Sequence, residues 1–347
     1  TTVKAGCAIP LKFTAVVPVK FVPVSVTAVP IGPLVGLTPV SVGADTVKAT
    51  ALVALVRGAV GPGVPIVGVG GVLSVGDVLE KMEAGVTQWP EWIIHKFPHG
   101  ANVGIDFTQY PAANLESRAR SFEDAKIHIK SVHNMVDLAW GSEKPAMPKN
   151  EVKHLDFKFT GQTTLDKFKR INERLAGKVD CLLVTTLDDI CWVTNLRGAD
   201  IDYNPVFFSY LIIYPGEETH ATLYVDESKV HNLHHYLHEN NIKVAPYTQI
   251  DEDLKKLNSE HKRVGVHTST CNAELHRLVK ENCIVLTDNV IQHIKACKNE
   301  VEQAGMRAAN VRDCAAIMKF FAFLESELRR HDHNLDEFKA ARKMDHF

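Results

Sequence analysis

The sequence predicts an α/β protein of more than one domain, followed by one long helix. Three observations carry this. Between residues 151 and 290 short apolar runs alternate with amphipathic stretches, the rhythm of a sheet covered by helices. From about Lys298 to Arg330 that rhythm stops and apolar residues recur only at helical spacing. The length, 347 residues, exceeds what one ordinary domain needs.

Taken in order, Leu79–Ala84 and Pro90–Phe97 read as short helical pieces, Asn102–Asp106 as a strand and Ala112–Phe122 as a helix. Ala125–Val132 alternates in the β manner and Met135–Trp140 is a last helical turn. Glu143–Asn150, with Pro145 and Pro148, reads as a linker. The second unit opens with a helix over Thr163–Leu175, with Thr163 as N-cap, Asp166 completing a capping box and Gly177 closing the element. Cys181–Thr185, Val206–Tyr214 and Ala221–Val225 are strands, the last two joined by a Pro215-Gly216 turn. Ser228–Glu239 reads as a helix, Ile242–Ala245 and Arg263–His267 as strands, Ala273–Glu281 as a helix and Ile284–Leu286 as a final strand. Val301, Met306, Ala308, Val311, Ala315, Met318, Phe321 and Leu324 mark the long amphipathic helix.

Composition narrows the function classes. A formal net charge of −2 gives no electrostatic case for nucleic acid or an anionic membrane. Seven cysteines at wide spacings, with no CxxC, form neither a disulfide framework nor a zinc site, which favours a reducing, cytoplasmic setting. The uncharged stretch Phe21–Ala44 is interrupted by Pro23, Pro30, Pro33 and Pro39, so a spanning helix is not expected there.

The first 78 residues stand apart. They contain no Glu, Gln, Asn, His, Trp, Tyr or Met, whereas everything after Leu79 is of ordinary composition. Three readings stay open: a β-rich segment, a low-complexity arm, or a run of small generic residues standing in for another sequence. Within it, Pro65–Val72 has the look of a strand entering a glycine turn, with Val75–Ala84 as the helix after it. It resembles the phosphate-binding end of flavin-dependent barrels, but GxGG is short and the rest of such a barrel is missing.

Few side-chain groupings suggest chemistry. His231, His234, His235 and His238 crowd one predicted helix, but Val230, Leu233 and Leu237 already form its apolar stripe and no acidic or thiol partner completes a metal site. Asp188, Asp189, Asp200 and Asp202 flank a strand and its exit loop, where Asp caps turns. Arg197-Gly198 and Asn204-Pro205 are expected to shape a loop, and His331-Asp332-His333 to be a solvated helix end. No Ser-His-Asp or Cys-His grouping stands out.

Two stretches are distinctive. One is Leu187-Asp188-Asp189-Ile190-Cys191-Trp192-Val193-Thr194-Asn195-Leu196-Arg197-Gly198-Ala199-Asp200-Ile201, followed by Tyr203–Tyr210. The other runs from Lys295 through Asn299-Glu300-Val301-Glu302, Gly305-Met306-Arg307 and Arg312-Asp313 to Phe320–Glu325. They closely resemble the second domain and the first catalytic-domain helix of aminopeptidase P, the X-Pro aminopeptidase. Trp92-Ile93, Val103–Asp106, Val136–Trp140 and Phe159-Thr160-Gly161 match more weakly and in the family's order, so the resemblance covers about residues 79–347.

The resemblance implies two tandem creatinase N-terminal-like domains with mixed sheets, then the first helix of a pita-bread catalytic domain that is almost entirely missing. The expected borders are 1–140 for domain I, 141–150 for a linker, 151–290 for domain II and 291–347 for the start of the truncated third domain. It also implies a cytoplasmic metallopeptidase, a hydrolase that releases the first residue from peptides with proline second, using two Mn²⁺ held by two Asp, one His and two Glu. Those ligands belong to strands beyond Phe347, so no catalytic or metal-binding residue carries over, substrate-binding residues are unknown, and this chain alone is expected to be inactive. The family's glycine-rich and Trp-Thr-Asp-Gly-Arg-Tyr motifs should fall within 1–78, and nothing there matches them. The implied role is shaping substrate access and subunit contacts, with a homodimer or another partner covering the last helix. The competing expectation is a non-catalytic binding or scaffold protein that keeps the fold.

Overall fold

The structure, a computed structural model, describes residues 89–97, 100–330 and 335–347. The expectations for 1–88, the glycine turn among them, and for His331-Asp332-His333 lie outside the described residues.

The front part begins with helix α1 (Trp89–Lys96), strand β1 (Ala101–Ile105), helix α2 (Ala112–Glu123) and strand β2 (Ile127–Ser131). β1 and β2 pair in parallel, Val103 opposite Ile129. Trp92, Ile93, Val103, Phe122 and Ile127 form the core beneath them. Helix α3 (Met135–Trp140) is capped by Asn134, whose side chain accepts from Val136 and Asp137 N–H, and the short helix α4 (Phe157–Thr160) follows.

The larger part is a six-stranded mixed sheet in the order β10-β9-β4-β6-β7-β8. The strands are β4 (Cys181–Val184), β6 (Tyr210–Tyr214), β7 (His220–Tyr224), β8 (Ile242–Ala245), β9 (Val264–Val266) and β10 (Cys283–Val285). β10, β9 and β4 run parallel, as do β7 and β8, while β6 is antiparallel to both its neighbours. A short pair, β3 (Lys153–His154) and β5 (Leu196–Arg197), lies apart from this sheet.

Strand alternation divides the apolar residues between two faces. Leu182 and Val184 enter one core; Cys181 and Leu183 enter the other. That is why β4 reads as an unbroken apolar run: both its faces are covered. On the first face pack helices α5 (Thr164–Leu175), α6 (Leu187–Thr194), α7 (His234–Glu239) and α10 (Val290–Ala296), contributing Phe168, Ile190, Leu237 and Ile294. On the second lie α8 (Ile250–Ser259) and α9 (Ala273–Leu278), contributing Leu254 and Leu275. The front part docks here through backbone bonds: Ala113 N–H donates to Thr268 O (3.0 Å), Ala112 N–H to Cys271 O (2.9 Å) and Ala273 N–H to Tyr110 O (2.8 Å).

The expected capping box of α5 is present: Thr163 Oγ1 accepts from Asp166 N–H, and Asp166 Oδ2 accepts from Thr163 N–H at 3.0 Å. The predicted long helix is α11 (Glu300–Arg329), with its own capping box between Asn299 and Glu302. None of its residues is buried. Helix α12 (Glu337–Met344) follows, and Phe347 beyond it rests 6.2 Å from Phe323 of α11.

Several sequence expectations need correction. Leu187–Thr194 is a helix, so Asp188 and Asp189 sit in its first turn rather than flanking a strand. Burial of Ile190 and Val193 outweighs the β preference of Trp-Val-Thr, and Asn195 closes the helix in the left-handed region at φ +54. Ser228–Glu239 is not one helix: it breaks into two 3-10 turns and α7, because Lys229 O is taken by Val152 N–H and Val230 has a non-helical backbone. The predicted strand Val206–Tyr214 is confined to Tyr210–Tyr214, since Asp200 Oδ2 rather than a neighbouring strand receives Phe208 N–H. Helices α8, α10 and α12 escaped the sequence reading altogether.

Candidate functional site

Three buried polar clusters surround α6 and the segment that follows it. The first centres on Lys167, on the inner face of α5 and 1% exposed. Its ammonium donates to Trp192 O (2.6 Å) and Asn195 Oδ1 (2.5 Å) and lies 4.3 Å from the centre of the Trp192 ring. Burial without a contacting carboxylate drives its pKa down to about 7, a drop that the field of Glu302 opposes. Trp192 Nε1 donates to Glu302 Oε1 (3.1 Å), while Glu302 Oε2 accepts from Asn299 N–H (3.1 Å). Asn299 Nδ2 in turn donates to Thr160 O (2.8 Å). The capping box of α11 is thus bolted to α6 and to the turn at Gly161. That turn demands glycine: φ is +62, and a Cβ there would lie 2.5 Å from Asn299 Oδ1.

The second cluster holds the fully buried Asp189. Its carboxylate accepts from Thr186 Oγ1 (2.7 Å), Lys295 Nζ (3.2 Å) and Asn289 Nδ2 (3.3 Å), and Lys295 also contacts Asp188. These bonds tie α6 to α10, directly before α11.

The third is a buried ion pair, Lys229 Nζ to Asp200 Oδ2 at 2.5 Å, with side chains 3% and 0% exposed. Asp200 also holds Phe208 N–H (2.8 Å), and Asn150 Nδ2 donates to Ala199 O (2.7 Å). The loop they anchor carries Tyr203 at its tip, 97% exposed and in the left-handed region at φ +62. A bulky residue there is strained without compensating contacts. Tyr203→Asn should therefore raise stability by roughly 1 kcal/mol, read as a higher midpoint in urea unfolding with unchanged slope. A lower midpoint would mean that the ring contributes to the fold.

The predicted histidine group is exposed, as its stripe of apolar neighbours implied: His231, His234, His235 and His238 face solvent while Leu237 is buried. His231 bonds Ser228 O and His235 pairs with Glu239. Asp202 is exposed in the Tyr203 loop. Among the described residues no group of three or more His, Cys, Asp or Glu is placed to hold a metal ion. Asp188 and Asp189 are engaged by Lys295, and Asp200 by Lys229. Burial raises the thiol of Cys181 to about 12 and those of Cys191 and Cys283 to about 11, which keeps them protonated and non-nucleophilic.

The structure therefore joins three segments that the sequence singled out separately, Phe159–Gly161, Trp192–Asn195 and Asn299–Glu302. What sequence reasoning missed is Lys167. The available signal was its position: it falls three residues after Thr164 and four before Ile171, on the buried face of α5. What this arrangement does is mechanical, fixing where the long helix starts and which way it leaves.

Residues 143–302 match the family model of the creatinase/prolidase N-terminal domain. A probable Xaa-Pro aminopeptidase P of Pyricularia oryzae is 34% identical over 290 residues, spanning 78% of this chain and 46% of the relative. One of Aspergillus fumigatus is 36% identical over 284 residues, spanning 78% of this chain and 42% of the relative. A solved X-prolyl aminopeptidase of Caenorhabditis elegans, described as a cytosolic enzyme with a di-nuclear active site, superposes with a TM-score of 0.67 at 28% identity. That match covers 76% of this chain and 43% of the other. The chain spans less than half the length of these relatives. The fold is that of the creatinase N-terminal domains, a mixed α/β sheet layered with helices.

Proposed function

We propose, for a chain whose residues 143–302 belong to the creatinase/prolidase N-terminal domain family, that it acts as the non-catalytic front part of an Xaa-Pro aminopeptidase. The proposed borders are 1–140 for a first domain, 141–150 for a linker, 151–290 for a second and 291–347 for the start of the catalytic one. The observation that carries this reading is the joint between the second domain and α11. Trp192, Asn299 and Glu302 hold the helix in a fixed direction, which is useful only if what the helix leads into must be held against the domain. In this role the chain shapes the approach of peptides with proline second and supplies subunit contacts, in a cytoplasmic homodimer. The two Mn²⁺ expected of the whole enzyme would supply activated water there.

The test is an assay of the pure 347-residue chain on an Arg-Pro-Pro peptide, with and without added Mn²⁺. No release of arginine is expected under either condition. Turnover above the buffer rate would mean that a catalytic centre lies within these residues.

A further inference from the structure

The solvent side of α11 is patterned as well as apolar. From Ala304 to Leu328, alternate steps of three and four residues land on exposed residues only. That is the seven-residue repeat of a coiled-coil seam, which runs as one stripe down the helix. The half-buried residues Ala316, Phe320, Phe323 and Glu327 fall on the opposite side. There α12 packs, with Phe347 6.2 Å from Phe323 and Lys343 Nζ 5.6 Å from the centre of the Phe323 ring. Helix α12 therefore leaves the stripe open. Two charged residues interrupt it, Arg307 near one end and Glu325 near the other. Their contacts are local and exposed: Arg307 Nη2 donates to Gln303 Oε1 (3.4 Å), and Arg329 Nη2 to Glu325 Oε1 (2.5 Å). Contacts of this kind are worth little and give way readily.

Roughly 27 Å of helix separates Arg307 from Glu325, so the two cannot meet within one copy. Against a second α11 running the same way, Arg307 would face Arg307 and Glu325 would face Glu325. Running the opposite way, with a two-fold axis at the level of Ala316, Arg307 faces Glu325 of the second copy at both ends. The same register sets Val311 against Phe321, Cys314 against Met318 and Ala304 against Leu328, each twice. A smaller side chain thus meets a larger one in every uncharged layer. Charged residues at seam positions select orientation and register in this way. We propose that α11 is a self-recognition surface that pairs antiparallel with α11 of a second copy, Arg307 against Glu325 at both ends. The pairing deepens the homodimer of the proposed role, and rests on that reading only for there being two copies.

The test is a charge swap in the 347-residue chain, read by sedimentation equilibrium. Arg307→Glu alone, or Glu325→Arg alone, sets like charges against each other at both ends of the pair. Each should weaken self-association by about tenfold. The double variant Arg307→Glu, Glu325→Arg restores both pairs between copies and should recover most of the loss. No contact within one helix can produce that recovery, and both positions are exposed, so the fold is kept. A second measurement reads the orientation directly. Met318→Cys adds a thiol beside the exposed Cys314. After mild oxidation, peptide mapping of the dimer-sized species should find position 314 joined to position 318 of the other copy. Crosslinks of 314 to 314 and 318 to 318 would mean a parallel pair and overturn the proposal. So would a double variant as weak as the singles, or a wild-type chain that is monomeric at every concentration. Release of arginine in the peptidase assay would sink the non-catalytic role and leave this pairing untouched, so the two can fail separately.

Discussion

Replacing Lys229 by alanine should cost the fold about 3–5 kcal/mol, the largest loss expected from a single substitution outside the apolar core. Asp200 would then keep its charge at 0% exposure with no cation beside it, and its Oδ1 already has no hydrogen-bond partner among the described residues. Among the described residues the compensation left is Phe208 N–H, one neutral donor for a buried carboxylate. The variant should unfold in urea at a much lower midpoint. The double variant Lys229→Met, Asp200→Leu separates the two contributions. Removing both charges together lifts the desolvation penalty, so it should recover most of the loss even though the ion pair is gone. If Lys229→Ala alone shifts the midpoint by less than the equivalent of about 1 kcal/mol, the pair behaves as a surface bridge and the loop has another anchor.

Elements whose periodicity and boundary residues agree were legible in the sequence. The α5 capping box, the α11 start and the strand β8 fall where Thr163 with Asp166, Asn299 with Glu302 and the run Ile242–Ala245 put them. Helix α8 was also legible and was overlooked: Ile250, Leu254 and Leu257 recur at helical spacing behind Asp251, Glu252 and Asp253 in the first turn. Leu187–Thr194 was not legible, because its side chains suit a buried strand as well as a buried helix and only tertiary packing decides. The polar clusters were hidden for a different reason. Asp189 meets Lys295 across 106 positions and Trp192 meets Glu302 across 110, so no local window contains both partners. Asp188, Asp189, Asp200 and Asp202 looked alike in sequence. The structure sorts them into two buried anchors, Asp189 and Asp200, and two carboxylates open to solvent.

Charging the face of α11 should change how the 347-residue chain associates. Val311, Met318, Phe321 and Leu328 are each more than half exposed, at 71%, 71%, 61% and 70%. Their spacing of 7, 3 and 7 places them on one side of the helix, a continuous stripe on a 30-residue element with no buried residue. Each such side chain left in water forgoes roughly 1.5–3 kcal/mol of burial. A patch of that extent is rarely tolerated on a monomer. In the proposed role the rest of a peptidase covers it; in the chain by itself the available cover is another copy. Light scattering on the 347-residue chain should therefore report a mass above that of one chain, rising with concentration. Met318→Glu with Phe321→Glu should return it to the monomer without lowering the urea midpoint, because neither side chain is buried in the fold. A loss of two such contacts per chain weakens association by well over tenfold for each. A wild-type chain that stays monomeric at every concentration, with charged variants of identical mass and solubility, would show that α11 needs no cover, and the reading of it as the first helix of a further domain would fall with that result.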